Sequence, residues 1–180
     1  MVVLSMTPRI GPESGGTIVV MKGLNFIESS ALSCRFGRAA TKNYVTSPAT
    51  FRSSSQISCL SPPHATSEVN VQISVNGVDF QNTPGTFIYL PRLRVASMFP
   101  TVGPMRGGTR ITLVGTGFDV PSSLLRCRIG GAVMQSIWLN NTAVQCETAT
   151  SAVSTAATFG VELSANGGSD FFPVGHNFTF

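Results

Sequence analysis

The sequence predicts an all-β fold of two β-sandwich domains in tandem, and three observations predict it. First, the turn-like stretch Gly11-Pro12-Glu13-Ser14-Gly15-Gly16-Thr17 recurs in the second half as Gly103-Pro104-Met105-Arg106-Gly107-Gly108-Thr109. Second, short runs rich in β-branched residues alternate with turns rich in Gly and Pro, a pattern typical of strands. Third, no long segment shows the period of an amphipathic helix.

The repeat divides the 180 residues into two halves of domain size, 1–90 and 91–180. Each half is long enough to build a modest core of its own. Charged residues make up 11% of the chain, against about 25% in an average soluble domain. The segment Leu90-Pro91-Arg92-Leu93 joins the halves, and its shortness predicts domains that are close neighbours.

Matching strands are expected in the same order in both halves. In each copy a strand leads to a turn whose aromatic, Phe26 or Phe118, is expected to close the end of the sandwich. Asn76-Gly77 and Asn166-Gly167 predict hairpins. The strands predicted in the first half are 17–22, 32–37, 56–59, 69–75 and 86–89. Those predicted in the second half are 109–114, 125–130, 143–146, 159–164 and 177–180.

Four motifs in this order carry a resemblance to a known family. They are Pro-x-x-Gly-Pro-x-x-Gly-Gly-Thr from Pro8 and from Pro100, Gly-x-x-Phe, Cys-Arg-x-Gly, and a final Asn-Gly followed by Phe-x-Tyr or Phe-x-Phe. Together they cover nearly all of both halves, and they resemble the IPT/TIG (immunoglobulin-like, plexin, transcription factor) domain family. The resemblance implies two immunoglobulin-like β-sandwiches. The irregular stretch 167–172 departs from the pattern, so the register of the last hairpin is left open.

The family resemblance implies three classes of function. We expect a non-catalytic extracellular binding or spacer module of a cell-surface receptor or adhesion protein, with a protein partner or ligand. One alternative is an intracellular transcription-factor module for dimerisation or DNA binding, which would keep free thiols. The other is an accessory domain of a polysaccharide-active enzyme, which would expose aromatic rings to sugars. The chain is expected to be a segment of a larger membrane-anchored or secreted protein.

The four cysteines favour the extracellular class. Cys34 and Cys59 lie on predicted strands of the first half, and Cys127 and Cys146 lie on those of the second. Four cysteines allow three pairings, and the repeat favours one bridge within each half. The alternative is four buried thiols. A zinc site is not expected, because the sequence contains no Cys-x-x-Cys and its two histidines lie apart.

Two tripeptides have the form of N-glycosylation acceptors, Asn140-Asn141-Thr142 and Asn177-Phe178-Thr179. Asn140 follows Trp138 in a polar loop, which makes it the better candidate. Asn177 lies beside a closing strand and is expected to be less accessible. Trp138 itself is expected to pack inside the sandwich, where such folds often bury a tryptophan.

Catalytic and cofactor-binding patterns are missing from the sequence. His64 and His176 fall in predicted loops, and the eight carboxylates are scattered. The glycines from Gly11 to Gly16 have the spacing of a phosphate loop, but Thr17 replaces the required lysine and a strand follows. We therefore expect no enzyme, no cofactor and no metal.

A nucleic-acid partner is not expected either. The net charge of +4 is spread over both halves, whereas a nucleic-acid site needs a clustered basic patch. Arg92, Arg94, Arg106 and Arg110 come nearest to a cluster, and we interpret them as solvated surface. No apolar run approaches the ~18 residues of a membrane-spanning helix.

Overall fold

The computed structural model of the chain describes residues 1–38, 40–41, 43–151 and 154–180. It divides into two compact units, Met1–Pro91 and Arg92–Phe180. Both are built from strands, and the described residues add only one short 3₁₀ helix, Ser122–Leu124. The prediction of two tandem immunoglobulin-like β-sandwiches is confirmed.

The described residues of the first unit form eight strands that pair in the order β1-β3-β6-β5-β4-β7-β8-β2. All pairs are antiparallel except β2 with β8, which run parallel with Ile10 opposite Ile88. The strands are β1 Val2–Thr7, β2 Ile10–Pro12, β3 Ile18–Leu24, β4 Ser33–Arg38, β5 Asn43–Ser53, β6 Gln56–Leu60, β7 Ser67–Ser74 and β8 Gln81–Leu90.

Strand β5 belongs to both layers of the first sandwich. Its first part pairs with β4 from Asn43 to Pro48, and its second part pairs with β6 from Ala49 onward. The change of partner falls at Pro48, where a missing amide hydrogen costs least because pairing is interrupted there. The two layers are therefore β1-β3-β6 and β4-β7-β8-β2, joined through one long strand.

The second unit repeats this plan, and the part of it that the structure describes forms seven strands in the order β15-β14-β11-β12-β13-β10-β9. Here β12 is the shared strand, because Ala132–Gln135 pair with β11 and Ser136–Asn140 pair with β13. The strands are β9 Arg94–Phe99, β10 Arg110–Thr116, β11 Arg126–Ile129, β12 Ala132–Asn140, β13 Ala143–Glu147, β14 Thr158–Ser164 and β15 Phe172–Thr179.

The core of each unit follows from the alternation of the strands. In β3, Val19 and Met21 are buried while Ile18 and Leu24 are exposed, as expected where one face of a strand is covered. Phe36, Phe87 and Tyr89 meet edge to face in the first core. The two aromatics predicted to close the sandwiches, Phe26 and Phe118, are both buried.

The N-terminal part of each unit is held against its final strand. Ile88 N donates to Arg9 O at 2.8 Å, and Glu13 N donates to Leu90 O at 2.8 Å. In the second unit, Gly103 N donates to Thr179 O at 3.0 Å, beside a parallel bridge between Val102 and Thr179. The repeated glycine-rich turn therefore follows a clamped segment in both copies.

The hairpins predicted at the Asn-Gly pairs are present as β7–β8 and β14–β15, and the segments that connect their strands are longer than a two-residue turn. Asn76 lies between β7 and β8, and its Oδ1 accepts hydrogen bonds from Val78 N and Asp79 N at 3.0 and 2.8 Å. Asn166 has the same role between β14 and β15, where its Oδ1 accepts from Asp170 N at 3.0 Å. The asparagine side chains shape these loops by local bonding to the backbone.

Candidate functional site

A disulfide bond crosses each sandwich. Cys34 on β4 is joined to Cys59 on β6, and Cys127 on β11 is joined to Cys146 on β13, with Cα–Cα distances of 6.3 Å in both cases. All four side chains are buried, because they share the inward face of their strands. The part of the chain that the structure describes contains no free cysteine.

The arginine that follows the first cysteine of each bridge faces outward. In the second unit, Arg128 meets Glu162 on the neighbouring strand β14. Its Nε donates to Glu162 Oε2, and its Nη2 donates to Oε1 at 2.9 Å. The hydrogen bond from Arg128 lowers the pKa of the Glu162 carboxyl below its ordinary value. The ring centroid of Phe171 lies 4.2 Å from the guanidinium carbon of Arg128.

In the first unit, Arg35 occupies the same position but has different neighbours. The guanidinium carbon lies 4.4 Å from the ring centroid of Tyr44 and 4.0 Å from that of Phe80. Its Nε donates to Gln72 Oε1, and Gln72 Nε2 donates to Asn82 Oδ1 at 2.7 Å. The Arg35 guanidinium, which contacts two rings, therefore donates to the neutral amide of Gln72, whereas Arg128 donates to a carboxylate.

Exposed aliphatic side chains form a cross-strand pair at each end of β3, on the layer opposite Arg35. Ile18 on β3 is 58% exposed and its cross-strand neighbour Leu60 on β6 is 52% exposed. Val2 on β1 faces Leu24 on β3 in the same way. We call these four residues, with Leu4, the aliphatic face of the first unit.

The prediction that Trp138 packs inside the second sandwich is wrong. Its side chain is 43% exposed, although its cross-strand partner Val144 is fully buried. The indole Nε1 donates to Phe118 O at 3.0 Å. The register of β12 is irregular between Trp138 and Asn140, so the strand leaves the core just where the tryptophan sits.

Both candidate glycosylation sites are exposed, but their local structures differ. Asn140 ends β12, and its Oδ1 accepts hydrogen bonds from Thr142 N at 2.9 Å and Thr142 Oγ1 at 2.8 Å. Asn177 lies within β15 opposite Gly160. The hydroxyl of its sequon, Thr179 Oγ1, contacts Thr158 Oγ1 at 2.8 Å.

The remaining candidate groups have structural surroundings. His64 stacks on Tyr89 with ring centroids 5.0 Å apart, and its Nδ1 lies 2.8 Å from Ala65 O. Arg110 pairs with Glu147 at 3.2 Å on the surface. Residues 1–38, 40–41, 43–151 and 154–180 contain no group of three or more side chains placed to hold a metal ion. Nor do they contain a helix long and apolar enough to cross a membrane.

Comparison with known proteins gives one family. The family model of the IPT/TIG domain matches residues 1–89 and 93–180. Human Plexin-A2 is 33% identical over 120 residues, which is 66% of this chain and 6% of Plexin-A2. Mouse Plexin-A2 is 32% identical over the same share of both chains. The chain therefore spans a small fraction of the relatives that it matches.

Solved structures agree in fold. The full extracellular region of plexin A4 superposes with a TM-score of 0.52 at 23% identity, covering 88% of this chain and 14% of that one. The two disulfide bonds, which persist in oxidising compartments, and the similarity to plexins support an extracellular or cell-surface location. With a family match over nearly the whole length, the chain belongs to the IPT/TIG domain family and carries two consecutive copies of the domain.

Proposed function

We propose that the chain is a non-catalytic extracellular module that binds a protein partner, or positions a neighbouring domain that does, within a receptor or adhesion protein. The two sandwiches supply surfaces on a closed scaffold, because each has a buried core and a disulfide bond between its layers. The similarity to plexins supports the receptor setting. The partner is expected to be another protein outside the cell.

The observation that carries the proposal is the aliphatic face of the first unit. Ile18 and Leu60 are neighbours across β3 and β6, and both expose more than half of their surface. Single exposed aliphatic residues are common, but neighbouring ones on a rigid sheet favour contact with a protein. Lys22 lies on the same strand between Ile18 and Leu24.

The two other functions have less support. A transcription-factor module would keep its thiols reduced, whereas all four cysteines form bridges. A sugar-binding accessory domain would present aromatic rings on one platform. In the first unit, Tyr44 and Phe80 instead lie against Arg35.

The proposal is tested by measuring binding of the secreted chain, displayed as a multimer, to an array of purified receptor ectodomains. The variants Ile18→Glu and Leu60→Glu place charges on the aliphatic face. Val78→Glu is the matched control, because Val78 is 77% exposed in the loop between β7 and β8. We expect the two face variants to lose a binding signal that the control keeps. Equal signals from all three would contradict binding through this face.

We further propose that Asn140 carries an N-linked glycan in the secreted protein and that Asn177 is used less. The hydrogen bonds from Thr142 hold the Asn140 side chain at the tip of an exposed hairpin, whereas Asn177 is paired within a strand. Mass spectrometry of glycopeptides, with Asn140→Gln and Asn177→Gln as references, measures the occupancy of each site. Higher occupancy at Asn177 than at Asn140 would reverse this proposal.

A further inference from the structure

The two units provide different hydrogen-bond acceptors to their equivalent arginines, Arg35 and Arg128. Arg35 pairs across the ladder with Gln72, and Arg128 pairs in the same way with Glu162. In the second unit, Nε and Nη2 of Arg128 therefore both donate hydrogen bonds to one carboxylate. In the first unit the amide oxygen of Gln72 accepts one bond, from Nε.

The edge of the Arg35 guanidinium formed by Nη1 and Nη2, which we call its open edge, has no hydrogen-bond partner in the described residues. Within the described ranges, Nη1 and Nη2 of Arg35 make no hydrogen bond, and no carboxylate lies within ion-pair distance. Two acidic side chains on β7 and in the loop after it have other partners. Glu68 accepts from Thr86 Oγ1, and Asp79 accepts from Asn76 Nδ2 at 2.8 Å.

The two rings prepare this arginine for binding. Tyr44 comes from β5 on one side of β4, and Phe80 precedes β8 on the other. Their contacts restrict the long side chain before any partner arrives, which lowers the entropy lost on binding. They also displace water from the guanidinium, so a hydrogen bond from Nη becomes stronger than in open solvent.

We propose that the open edge of Arg35 binds the carboxylate of an Asp or Glu side chain on a protein partner. The second unit provides the template, because there Glu162 forms two parallel hydrogen bonds with the equivalent arginine, the geometry in which Arg recognises carboxylates. This inference rests on the proposed function for its protein partner and adds a second contact, on the layer opposite the aliphatic face.

The surroundings favour a single carboxylate over a sulfated polysaccharide. The side chains recorded in contact with the guanidinium are two rings and the neutral amide of Gln72, which Asn82 supports. A sulfated chain is held by several cations at once, and none of these contacting side chains is a cation. The rings suit the apolar stem of a Glu side chain.

Nuclear magnetic resonance of the arginine Nε–Hε groups tests the proposal on the intact chain. The probes are the peptide acetyl-Gly-Glu-Gly-amide and its Gln counterpart at equal ionic strength. We expect the Arg35 signal to shift saturably with the Glu peptide only, and the Arg128 signal to stay unchanged. No Arg35 shift, or the same shift with the Gln peptide, would overturn the proposal.

Two variants exchange the local chemistry between the units. Gln72→Glu gives Arg35 an internal carboxylate and should weaken its response to the Glu peptide by about tenfold or more, the value of a charged hydrogen bond. Glu162→Gln should make Arg128 newly responsive, which also keeps the test valid if Gln72→Glu folds poorly. An unchanged pattern in both variants would refute the assignment.

Two further outcomes distinguish a carboxylate site at Arg35 from a sulfated-sugar site and from binding through the aliphatic face. A heparin disaccharide that shifts Arg35 at lower concentration than the Glu peptide would show a sulfated sugar site and overturn a protein partner. A silent Arg35, together with loss of ectodomain binding in Ile18→Glu, would refute the carboxylate site and leave the proposed function standing. An Arg35 signal that responds to the Glu peptide, in a chain that binds no ectodomain, would support the carboxylate site and contradict the proposed binding function.

Discussion

Tyr89 combines a fully buried ring with a single polar atom that must be satisfied. Its ring meets Phe87 and Phe36 in the first core, and its hydroxyl donates to Pro62 O at 2.9 Å. A buried carbonyl that loses its donor retains the cost of leaving water. The side chain therefore ties the last strand of the unit to the loop after β6.

We expect Tyr89→Phe to lower the free energy of unfolding of the first unit by about 1 kcal/mol. Tyr44→Phe is the control, because the Tyr44 ring lies on Arg35 at the surface and Phe can keep that contact. Chemical denaturation of both variants measures the difference. Equal effects of the two substitutions would show that the bond to Pro62 contributes nothing.

The ion pair of Glu162 predicts a dependence of stability on pH. Its hydrogen bond from Arg128 lowers the pKa of Glu162 in the folded protein, so the pair stabilises the fold above the ordinary Glu pKa of about 4.3. That contribution is lost as the pH falls through the lower folded value. We expect the stability difference between the wild type and Glu162→Gln to shrink in acid.

Glu147→Gln is the matched control for Glu162→Gln. Glu147 makes a single bond to Arg110, and both side chains are mostly exposed, so solvent screens their attraction. The difference in denaturation midpoint between Glu147→Gln and the wild type should therefore stay small and nearly constant from neutral pH down into the acid range. An acid dependence as large in Glu147→Gln as in Glu162→Gln would contradict the role given to the Arg128 pair.

The contribution of individual residues was only partly visible in the sequence. The cysteines and the Cys-Arg pairs stood out because they repeat. The rings over the arginines did not, since Phe80 and Phe171 are far along the chain and reach them only through the sheet register. Trp138 was misplaced because an irregular register cannot be read from composition.

At the scale of elements, the glycine-rich turn before β3 requires glycine at two adjacent positions, for reasons that differ. Gly15 has φ 72° and Gly16 has φ 88°, a region that favours glycine. A Cβ on Gly15 would lie 2.6 Å from Ser61 O, whereas a Cβ on Gly16 would meet open space. Gly107 and Gly108 repeat both features before β10.

We therefore expect Gly15→Ala to be more destabilising than Gly16→Ala. The change at Gly16 should cost about 1 kcal/mol from its backbone conformation alone, and the change at Gly15 should cost more because the Ser61–Pro62 backbone must move. Gly107→Ala and Gly108→Ala provide an independent copy of the experiment in the second unit. Denaturation curves that rank either pair in the opposite order would contradict the steric cause.

Strands were predictable where one face is covered. The run 17–22 became β3, and 109–114 became β10, since both carry β-branched residues that suit a half-buried sheet. Strands β1, β2, β5, β9 and β12 were missed. Both β5 and β12 change partners midway, so no single alternation of apolar and polar residues runs through either strand.

At the scale of the whole molecule, each disulfide bond closes a loop within its own unit. The bridged cysteines are 25 residues apart in the first unit and 19 in the second. Bridges that close loops of this size stabilise by about 3 kcal/mol through the chain entropy of the unfolded state. The two contributions are expected to be nearly equal, because stabilisation changes only slowly with loop length.

We expect the double variant Cys34→Ala, Cys59→Ala to weaken the first unit by about 3 kcal/mol and to leave the second unit protected. Hydrogen exchange followed by mass spectrometry reports on each unit separately. The double variant Cys127→Ala, Cys146→Ala should give the mirror result. Equal loss of protection in both units from either variant would contradict independent stabilisation.

The tandem organisation was fully apparent from the repeat, whereas the order of strands was not. The recurrence of the motif from Pro8 at Pro100 implied two copies of one fold. The parallel pairing of Ile10 with Ile88 joins residues from opposite ends of a unit. No local pattern encodes such a pairing, because it depends on how all the intervening strands stack.

That parallel pairing determines how a unit responds to tension. When a pull is applied at the two ends of the first unit, β2 is drawn toward its N-terminus and the adjacent β8 toward its C-terminus. Because the two strands run in the same direction, the force acts along them, and the bonds from Ile88 N to Arg9 O and from Glu13 N to Leu90 O carry load together. Tension at the cell surface would therefore shear this clamp as a whole, which resists force better than unzipping it one bond at a time.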